Sequence, residues 1–489
     1  MFRRIPFAFA RNAGLIADAD GTDRLEVVAR ADAAPWSLAE LRRAAGLPLR
    51  VSIVPVAEFE AALSARYAEG EGGEFLADGF GGGVELASLM QDSARIQDLL
   101  EANDDAPIIR MINMVFMQAL KDGASDIHIE PFESRSLVRF RVDGVLTDVF
   151  EPPRALHAAM ASRIKVMADL DIAEKRMPQD GRISLKLGGR PIDVRVSTLP
   201  TAHGERVVLR LLDKDGGHLD LGRLGMAPDT LAVMDQLIHQ PHGIILVTGP
   251  TGSGKTTTLY AALSRLDHTE LNIMTVEDPI EYDLDGVGQT QVNPKLDMDF
   301  ARALRAILRQ DPDVVLIGEI RDLETAQIAV QASLTGHLVM ATLHTNDAAS
   351  AFTRLIDMGI EPFLLGSSLI GVLAQRLVRR LCPACRQAYV PTAQEWRTVS
   401  AGPVPECVYR AVGCPECGET GYRGRTGLYE LLHVDDGLRQ LVHDGAAEHV
   451  IRSHAQAHGL RPLRDDALRW LKDGTTSIEE ILRATRESA

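Results

Sequence analysis

The sequence predicts a multidomain α/β protein, and three observations support that fold class. The chain has 489 residues, more than one hydrophobic core accommodates, so two to four domains are expected. A stretch with seven glycines, residues 68–85, is typical of a flexible linker. From about Leu221 onward, strand patterns alternate with helix patterns, which predicts a parallel sheet. The predicted segments are 1–70 (adaptor domain), 71–93 (linker), 94–214 (α+β domain), 215–225 (linker) and 226–489, which includes a cysteine-containing subdomain at about 380–424 and a helical part at 425–489.

Composition and charge exclude several classes of protein. Hydrophobic residues make up 45% and charged residues 25%, as in ordinary soluble domains. The formal net charge of -16 argues against broad nucleic-acid binding, which requires a basic surface. The longest nearly apolar stretch, Phe363–Ala374, is too short for a bilayer, and no apolar signal region follows the N-terminal arginines. We therefore expect a cytoplasmic chain that meets a membrane only through a partner.

The segment 94–214 carries two β-hairpin signals with a helix pattern between them. In residues 136–150, apolar residues alternate with charged ones, and Asp143-Gly144 supplies a tight turn. Residues 181–200 repeat the pattern around Gly188-Gly189, and residues 154–170 predict a helix. Three arginines fall on the non-core side of these strands, where they form either a solvated charged face or a site for phosphate anions. They are Arg141, Arg195 and Arg210.

A phosphate-binding loop is the strongest chemical signal in the chain. An apolar strand, Ile244–Val247, precedes a match to G-x-x-x-x-G-K-[ST], and a helix pattern follows it. The motif consists of Gly249, Pro250, Thr251, Gly252, Ser253, Gly254, Lys255 and Thr256, with Thr257 after it. Glycines let backbone N–H groups surround phosphate oxygens, Lys255 reaches the β- and γ-phosphates, and the Thr256 hydroxyl binds Mg²⁺. The sequence therefore predicts binding of a nucleoside triphosphate with Mg²⁺.

Acidic residues close two further apolar strands. The strand 273–276 ends in Glu277 and Asp278, and the strand 314–317 is followed by Gly318 and Glu319. The carboxyl ends of parallel strands share the edge where a phosphate loop lies, so these groups can hold Mg²⁺ or polarise a water. A single strand-end glutamate is often only solvated, but two such ends favour catalysis. We assign the water to Glu277 and the metal side to Glu319, and interpret Gly318 as allowing the backbone to approach bound phosphate or Mg²⁺ waters.

A third apolar strand ends at His344, which could sense the γ-phosphate. Gly336 is predicted to cap the helix pattern 323–334 that precedes it, and His337 is predicted to be a structural hydrogen-bonding residue.

Four of the five cysteines form two C-P-x-C pairs separated by 28 residues. Such paired knuckles suit a structural Zn²⁺ with four thiolate ligands, whereas redox-active or free thiols are the alternative. The predicted ligands are Cys382, Cys385, Cys414 and Cys417, and Cys407 is interpreted as a bystander.

Together, these motifs resemble a known family. The ordered set "GPTGSGKT", "TVEDPIEY", "DPDVVLIGEIRD" and "GHLVMATLHTN", followed by the cysteine segment, resembles the secretion ATPases of bacterial type II systems and type IV pili. Upstream, "ASDIHIEP" and "RMPQDGRIS" resemble the second N-terminal domain of that family. The resemblance runs from about Ala94 to the C-terminus and is closest to the general secretion pathway protein E family.

The resemblance implies a cytoplasmic homo-hexamer with a RecA-like motor domain, a PAS-like second domain, and ATP, Mg²⁺ and Zn²⁺ as ligands. By the same resemblance, Glu277 belongs to the Asp-rich box, Glu319 is the Walker B glutamate and His344 lies in the His box. Arg141, Arg195 and Arg210 would approach the nucleotide. The motor-domain arginines expected at subunit contacts are Arg305, Arg309 and Arg321.

The implied activity is ATP hydrolysis that powers pseudopilus assembly and protein export. Residues 1–70 would dock onto the cytoplasmic domain of an inner-membrane platform protein, because "IPFAFARNAGLI" is similar to the type II secretion form. This partner would place the protein at the periphery of the inner membrane.

Three alternatives remain at this point. Pilus assembly would use the same motor on another platform, and a non-hydrolysing scaffold is disfavoured by the two glutamates. The third is a DNA-handling RecA-like motor, which the acidic net charge opposes. Its local support is a set of arginines around the cysteines: Arg376, Arg379, Arg380, Arg386, Arg423 and Arg425.

Overall fold

A computed structural model describes most of the chain beyond residue 105 and part of the N-terminal segment. The described residues are 13–18, 25–31, 33, 37–38, 41–43, 48–56, 58–59, 106–187, 190–213, 220–293 and 296–485. The chain divides into two compact units, residues 1–213 and 214–489, and each is treated separately below. The predicted linker 71–93 lies outside the described residues.

The described part of the N-terminal segment contains a three-stranded sheet. Its strands are β1 (Leu15–Asp18), β2 (Leu25–Arg30) and β3 (Leu49–Val54), in the order β1-β2-β3. Strand β2 pairs antiparallel with β1 and parallel with β3. Leu15, Leu25 and Phe59 are fully buried and form the centre of a small core.

Residues 106–213 form an antiparallel sheet packed against two helices. The strands are β4 (Ala124–Pro131), β5 (Ser136–Val142), β6 (Val145–Phe150), β7 (Gln179–Leu187), β8 (Arg190–Thr201) and β9 (Gly204–Asp213). The helices are α1 (Ala106–Lys121) and α2 (His157–Met167), and the strand order is β6-β5-β4-β9-β8-β7. Apolar residues on one sheet face, such as Ile127, Phe140 and Val194, contact the helices in one core.

The sequence patterns locate most of these elements correctly. Asp143 and Gly144 have positive φ values of 49° and 84°, as a two-residue hairpin turn requires. The helix predicted over 154–170 is shorter, because a 3₁₀ turn at Arg154–Leu156 precedes α2. The predicted Gly188-Gly189 turn lies outside the described residues, although the β7–β8 pairing on either side of it is present.

A seven-stranded sheet forms the centre of the second unit. Its strands are β10 (Gly243–Thr248), β11 (Ile273–Glu277), β12 (Gly288–Gln291), β13 (Val314–Ile317), β14 (Leu338–Leu343), β15 (Leu369–Leu381) and β18 (Tyr422–His433), in the order β12-β11-β13-β14-β10-β15-β18. All neighbouring pairs are parallel except β15 with β18. Strands such as β10 and β13 are buried along their whole length because helices cover both faces.

The helices of this unit lie on both faces of the sheet and at its C-terminal end. They are α3 (Pro228–Ile238), α4 (Lys255–Leu263), α5 (Phe300–Ile307), α6 (Leu323–Leu334), α7 (Ser350–Asp357), α8 (Pro362–Ser368), α9 (Ala393–Arg397), α10 (Asp436–His443), α11 (Glu448–Ala457), α12 (Leu463–Lys472) and α13 (Ile478–Thr485). Two hydrophobic clusters, one on each face, enclose the sheet. Within the described residues, we find no helix that is both long and apolar enough to cross a membrane.

The prediction of a helical part over 425–489 is wrong for its first residues. Strand β18 extends to His433, and the first helix after it is α10. Much of β18 is buried, so its apolar run does not show a clear strand alternation. Its pairing with β15 covers an edge of β15 that would otherwise expose unpaired N–H and C=O groups. Between these strands, the short pair β16 (Gln387–Tyr389) and β17 (Val408–Arg410) belongs to the cysteine-containing excursion.

Candidate nucleotide site and cysteine cluster

The phosphate loop and the acidic strand ends lie at the same edge of the sheet. Strand β10 is parallel to β14, β14 to β13, and β13 to β11. The carboxyl ends of these four strands therefore point the same way, and the loop after β10 lies beside the residues that follow the other three. The sequence predicted that these motifs share one edge of the sheet, and the strand order places them there.

The phosphate loop has the backbone geometry that its glycines permit. Gly249, Gly252 and Gly254 have φ values of 149°, 78° and 85°, and Gly254 is the N-cap of helix α4. A side chain at Gly249 is excluded, because its Cβ would lie 2.5 Å from the carbonyl oxygen of Gln375. Lys255 is the first residue of α4, and Thr256 and Thr257 follow it in the first turn. The backbone N–H groups of this turn suit an anion.

Two side chains of the loop are suited to a phosphate ligand. Lys255 Nζ donates to the carbonyl oxygens of Gly249 and Pro250, at 2.8 and 3.1 Å. Burial lowers the pKa of Lys255 to about 8, and the nearby charge of Arg376 acts in the same direction, whereas Glu319 opposes it. The Ser253 hydroxyl oxygen is buried and has no hydrogen-bond partner in the described structure. An added anion would pair with the Lys255 ammonium and satisfy the Ser253 donor.

The end of β13 presents a partly open carboxylate among charged groups. Arg321 donates to Glu319 Oε1, and His344 Nε2 lies 3.7 Å from Glu319 Oε2. Glu319 is also close enough to Lys255 to influence the pKa of that lysine. Burial lowers the pKa of His344, and the positive charge of Lys255 lowers it further. Glu319, His344 and Lys255 are therefore neighbours at this edge of the sheet.

The end of β11 holds its carboxylate in a closed network. Glu277 is 2% exposed. The Tyr260 hydroxyl donates to its Oε2, and the Thr275 hydroxyl donates to its Oε1 at 2.5 Å. Gln289 Nε2 donates to Oε1 at 3.2 Å and also approaches the Tyr260 hydroxyl at 3.3 Å. The ring of Tyr282 packs edge-on against Tyr260, with 4.7 Å between centroids. These donors restrict the Glu277 side chain to one orientation.

Gly318 has a packing role between two strands, and the approach to phosphate or Mg²⁺ waters that the sequence suggested stays a prediction. A Cβ on Gly318 would lie 3.2 Å from the carbonyl oxygen of Val276 and 3.3 Å from the Cα of Glu277. Its N–H donates to Val276 O at 2.8 Å. The glycine therefore lets the ends of β13 and β11 approach each other closely, which brings the two glutamates to adjacent strand ends.

The segment around His344 agrees with the sequence interpretation of its neighbours. Gly336, with a φ of 107°, follows helix α6, and His337 contacts the helix C-terminus through Ala332 O at 2.9 Å. After His344, the Thr345 N–H donates to the Thr248 hydroxyl at 2.9 Å. This bond connects the end of β14 to the end of β10, directly before the phosphate loop.

The three arginines of the first unit lie in one row across its sheet. Arg141 and Arg210 both pair with Asp126 on the strand between them, with shortest N···O distances of 3.8 and 2.9 Å. Arg195 is the cross-strand neighbour of Arg210, and Arg182 is the neighbour of Arg195. Asp126 thus lies between Arg141 and Arg210 in this row, and the binding of a phosphate anion by Arg141, Arg195 and Arg210 stays a prediction.

The arginines expected at subunit contacts are exposed on the second unit. Arg305 and Arg309 lie one helical turn apart, on α5 and shortly after it. Arg305 donates to Glu324, and Arg321 donates to Glu319 of the same chain. Their role between subunits stays a prediction.

The cysteine pairs come together in space. The Sγ atoms of Cys382 and Cys414 are 3.9 Å apart, those of Cys385 and Cys417 3.8 Å, and those of Cys414 and Cys417 3.7 Å. Tetrahedral Zn²⁺ with bonds of about 2.3 Å separates its sulfur ligands by about 3.8 Å, so the cluster fits the metal. Burial raises the pKa of Cys385 and Cys414, whereas N–H donors from Cys414 and Gly421 outweigh burial at Cys417 and lower its pKa to about 7. Cys407 stands apart and is exposed.

Several arginines near the cysteines are engaged inside the domain. Arg376 is buried, Arg379 pairs with Glu480 at 2.8 Å, and Arg386 donates to Gly474 O at 2.6 Å. Arg376 and Arg379 are therefore withdrawn from the open basic surface that backbone phosphates of DNA require, whereas Arg380, Arg386, Arg423 and Arg425 are exposed. The local support for a DNA-handling motor is weakened accordingly.

Sequence reasoning missed the residues that surround the site from other elements. Tyr260, Thr275 and Gln289 hold Glu277, and Gln375 Nε2 donates to Ser253 O at 2.7 Å from strand β15. Thr275 could have been predicted from the sequence, because it lies two residues before Glu277 and therefore on the same face of a buried strand.

Comparison with known proteins assigns the family. Residues 101–483 match the family described as "Type II/IV secretion system protein", and residues 4–67 match the family model of an N-terminal domain of "GSPII protein E". The chain belongs to the type II/IV secretion system protein family. This match covers the described phosphate loop, the acidic strand ends and the cysteine cluster.

Relatives and solved structures agree with that assignment. The chain is 60% identical to "Type II secretion system protein HxcR" of Pseudomonas aeruginosa over 93% of each chain. It is 54% identical to "Type II secretion system ATPase E" of Vibrio cholerae, over 99% of this chain and 97% of that one. The pilus retraction motor PilT with bound ADP matches with a TM-score of 0.52 and 26% identity over 76% of this chain and 96% of that one. The Legionella pneumophila ATPase DotB shares the fold, with a TM-score of 0.57 and 20% identity over 78% and 96% of the two chains.

These findings confirm the family and the RecA-like secretion-ATPase fold that the motifs predicted. The protein is a type II secretion ATPase, and its enzymatic activity is ATP hydrolysis.

Proposed function

We propose that this chain hydrolyses ATP at the edge of the second-unit sheet, with Lys255 on the β- and γ-phosphates and Thr256 holding Mg²⁺. Glu319 orients water on the metal side, and Glu277 polarises the attacking water. Bound Mg²⁺ would supply a Lewis acid that neutralises charge developing on the phosphate oxygens. His344, next to Glu319, senses the γ-phosphate.

One observation supports the proposal most strongly. Lys255, Glu319 and His344 come from three different strand ends, yet each influences the charge state of another or lies within 4 Å of it. Such convergence of acid, base and cation beside a glycine-rich loop is the arrangement that phosphoryl transfer needs. The two glutamates also disfavour a scaffold that binds nucleotide without hydrolysing it.

The cellular role that fits this activity is assembly of a pseudopilus for protein export. The motor would act as a homo-hexamer, with Arg141, Arg195 and Arg210 approaching the nucleotide and Arg305, Arg309 and Arg321 at subunit contacts. Residues 1–70 would dock onto the cytoplasmic domain of an inner-membrane platform protein, and the match of residues 4–67 to the N-terminal domain model of "GSPII protein E" supports this. The protein would then be cytoplasmic and held at the inner membrane by its partner.

Pilus assembly is the alternative use of the same motor. The relatives described above are named as type II secretion proteins over nearly the full chain, which favours export. A pull-down with residues 1–70 against inner-membrane proteins of the same cell separates the two uses, because the platform proteins differ. Capture of a pilus platform protein in place of a secretion platform protein would reverse the assignment.

The decisive enzymatic test is Lys255→Ala. Loss of the ammonium should abolish ATP turnover and secretion while the protein remains folded, because Lys255 lies at the start of α4 and contacts only loop carbonyls in the described structure. Steady-state phosphate release and export of a native substrate are the measurements. Unchanged turnover would remove the assignment of this loop.

The zinc assignment has a separate test. Elemental analysis of the wild-type protein should give one zinc per chain, and Cys382→Ser combined with Cys417→Ser should release it. Cys407→Ser is the matched control, because its thiol is exposed and apart from the cluster. A wild-type protein without zinc would contradict the site.

A further inference from the structure

Arg376 is a buried cation beside the phosphate loop. Strand β15 runs parallel to β10, with Ala374 opposite Thr248, so Gln375 and Arg376 continue alongside the loop that follows β10. Arg376 is 5% exposed. A Cβ built on Gly249 would lie 3.3 Å from Arg376 Nη1, so the guanidinium contacts the first glycine of the loop.

The same guanidinium also holds the segment that follows the His box. Its Nη2 donates to both the backbone oxygen and the side-chain oxygen of Asn346, each at 3.1 Å. Its Nη1 donates to Gln375 O at 3.3 Å. Asn346 comes two residues after His344, so one side chain connects the phosphate loop with the residues that sense the γ-phosphate.

The charges at this position favour an anionic ligand. Arg376 is buried and Lys255 is partly buried, and their positive charges lie close enough to act on each other. Repulsion between two such cations is relieved when a polyphosphate lies between or beside them. A planar guanidinium with several donors can contact phosphate oxygens while it keeps bonds to Asn346.

We propose that Arg376 is a positioning residue for ATP hydrolysis, which adds positive charge at the phosphate loop and fixes the Asn346 segment relative to it. This inference rests on the proposed binding of ATP at Lys255. A triphosphate bound in the loop attracts the Arg376 guanidinium. Because the guanidinium also donates two hydrogen bonds to Asn346, its position is coupled to that of the segment carrying His344.

Two variants separate the charge of Arg376 from its hydrogen bonds. Arg376→Lys keeps the charge but loses the planar fork, and Arg376→Gln keeps neutral donors but loses the charge. We expect Arg376→Gln to weaken ATP binding at least about tenfold, and Arg376→Lys to bind ATP within about threefold of wild type, since one buried charge is the larger effect. Both should lower kcat about tenfold or more, because neither holds Asn346 at two oxygens.

The matched control is Arg380→Gln. Arg380 lies on the same strand, is the same residue type and is exposed. It should leave kcat, KM and ATP affinity within about twofold of wild type. Thermal unfolding of all variants checks that they are folded, and the lysine variant remains informative if the glutamine variant is not.

The split between kcat and ATP affinity gives a readout that a purely structural arginine would not change. Arg376→Lys keeps the positive charge beside the loop but loses the paired bonds to Asn346, so it should lower kcat while ATP affinity stays near that of the wild type. Arg376→Gln should lower both properties, and Arg380→Gln should lower neither.

The outcomes distinguish this inference from the proposed function. If Lys255→Ala is inactive but folded Arg376→Gln and Arg376→Lys have wild-type kcat and ATP affinity, the inference fails and the proposed function stands. If Lys255→Ala still hydrolyses ATP, both fail. Loss of activity in Arg376→Gln with unchanged ATP affinity would also overturn the inference, because the charge would then not act at the loop.

Discussion

The ends of β11 and β13 are adjacent in the sheet, yet they hold their glutamates in opposite ways. Glu277 is 2% exposed and accepts hydrogen bonds from Tyr260, Thr275 and Gln289. The Glu319 side chain is 16% exposed, pairs with the charged Arg321 and lies 3.7 Å from His344. The difference shows that a carboxylate at a strand end can be positioned by neutral donors or by charge, and the two modes respond differently to substitution.

The largest expected effect is on ATP turnover when Glu319, at the more exposed end of β13, is changed. Glu319→Gln should bind ATP but hydrolyse it at least about a hundredfold more slowly, the scale of losing one catalytic group. Phosphate release and binding of a fluorescent ATP analogue measure the two properties. Glu361→Gln, at an exposed glutamate directly before α8, should leave both unchanged. A near-normal rate in Glu319→Gln would mean that Glu277 acts alone.

Loss of the buried Glu277 carboxylate, at the end of β11, should reduce the free energy of unfolding more than loss of the Glu319 carboxylate. Glu277→Leu leaves the donors of Tyr260, Thr275 and Gln289 without their acceptor, at a cost of about 1–3 kcal/mol in the free energy of unfolding. Glu319→Leu is the matched change at the open end, where Arg321 can turn to water, so its cost should be smaller. Chemical unfolding of both variants without nucleotide tests the comparison, and equal losses would contradict it.

A smaller effect is expected from one donor of the closed network. Tyr260→Phe removes the hydroxyl bond to Glu277 and should cost about 1 kcal/mol of stability. If that bond orients Glu277 for catalysis, kcat should also fall several-fold while KM stays near its wild-type value. Tyr282→Phe is the control, because the Tyr282 hydroxyl has no hydrogen-bond partner in the described structure. Equal effects of the two changes would show that the network does not orient Glu277.

The smallest effect concerns the ionisation of His344. Burial and the Lys255 charge lower its pKa, so the imidazole should be neutral at pH 7 and gain a proton only below its ordinary range near pH 6.5. Lys255→Ala removes one cause and should raise the pKa of His344 toward its ordinary value. A histidine NMR titration of the nucleotide-free protein measures the shift, with the signal of His443 on α10 as reference. An unmoved His344 signal would separate it from the phosphate loop.

The features that sequence reasoning found are those built from contiguous residues. The phosphate loop, the acidic strand ends and the C-P-x-C pairs each combine a local backbone pattern with a defined chemistry, and the parallel order of the strands then brings the first two to one edge. The features that it missed depend on tertiary neighbours. Gln375 contacts Ser253, which lies 122 residues away in the sequence, and no local sequence pattern around either residue predicts the contact.

Strand β18 shows the same limit at the level of secondary structure. Its residues follow the second cysteine pair and lead into helices, and its buried stretch lacks a clear period of two. What makes it a strand is the free edge of β15, which is supplied by residues about fifty positions earlier. Domain boundaries that depend on such long-range pairing stay predictions when they are drawn from composition alone.

Strand β15 has a mechanical consequence that its length implies. The middle of the strand lies beside the phosphate loop through Gln375, and the strand ends at Leu381, next to Cys382. The stretch from Arg376 to Leu381 spans about 16 Å at about 3.3 Å per residue, and a hydrogen-bonded strand resists stretching over that distance. Strand β18, which begins at Tyr422, pairs antiparallel with β15, and the two strands form a rigid pair. A metal bound by Cys382 and Cys414 would hold the Leu381 end of this strand pair in place. The cysteine-containing excursion would then move together with the part of β15 that lies beside the phosphate loop.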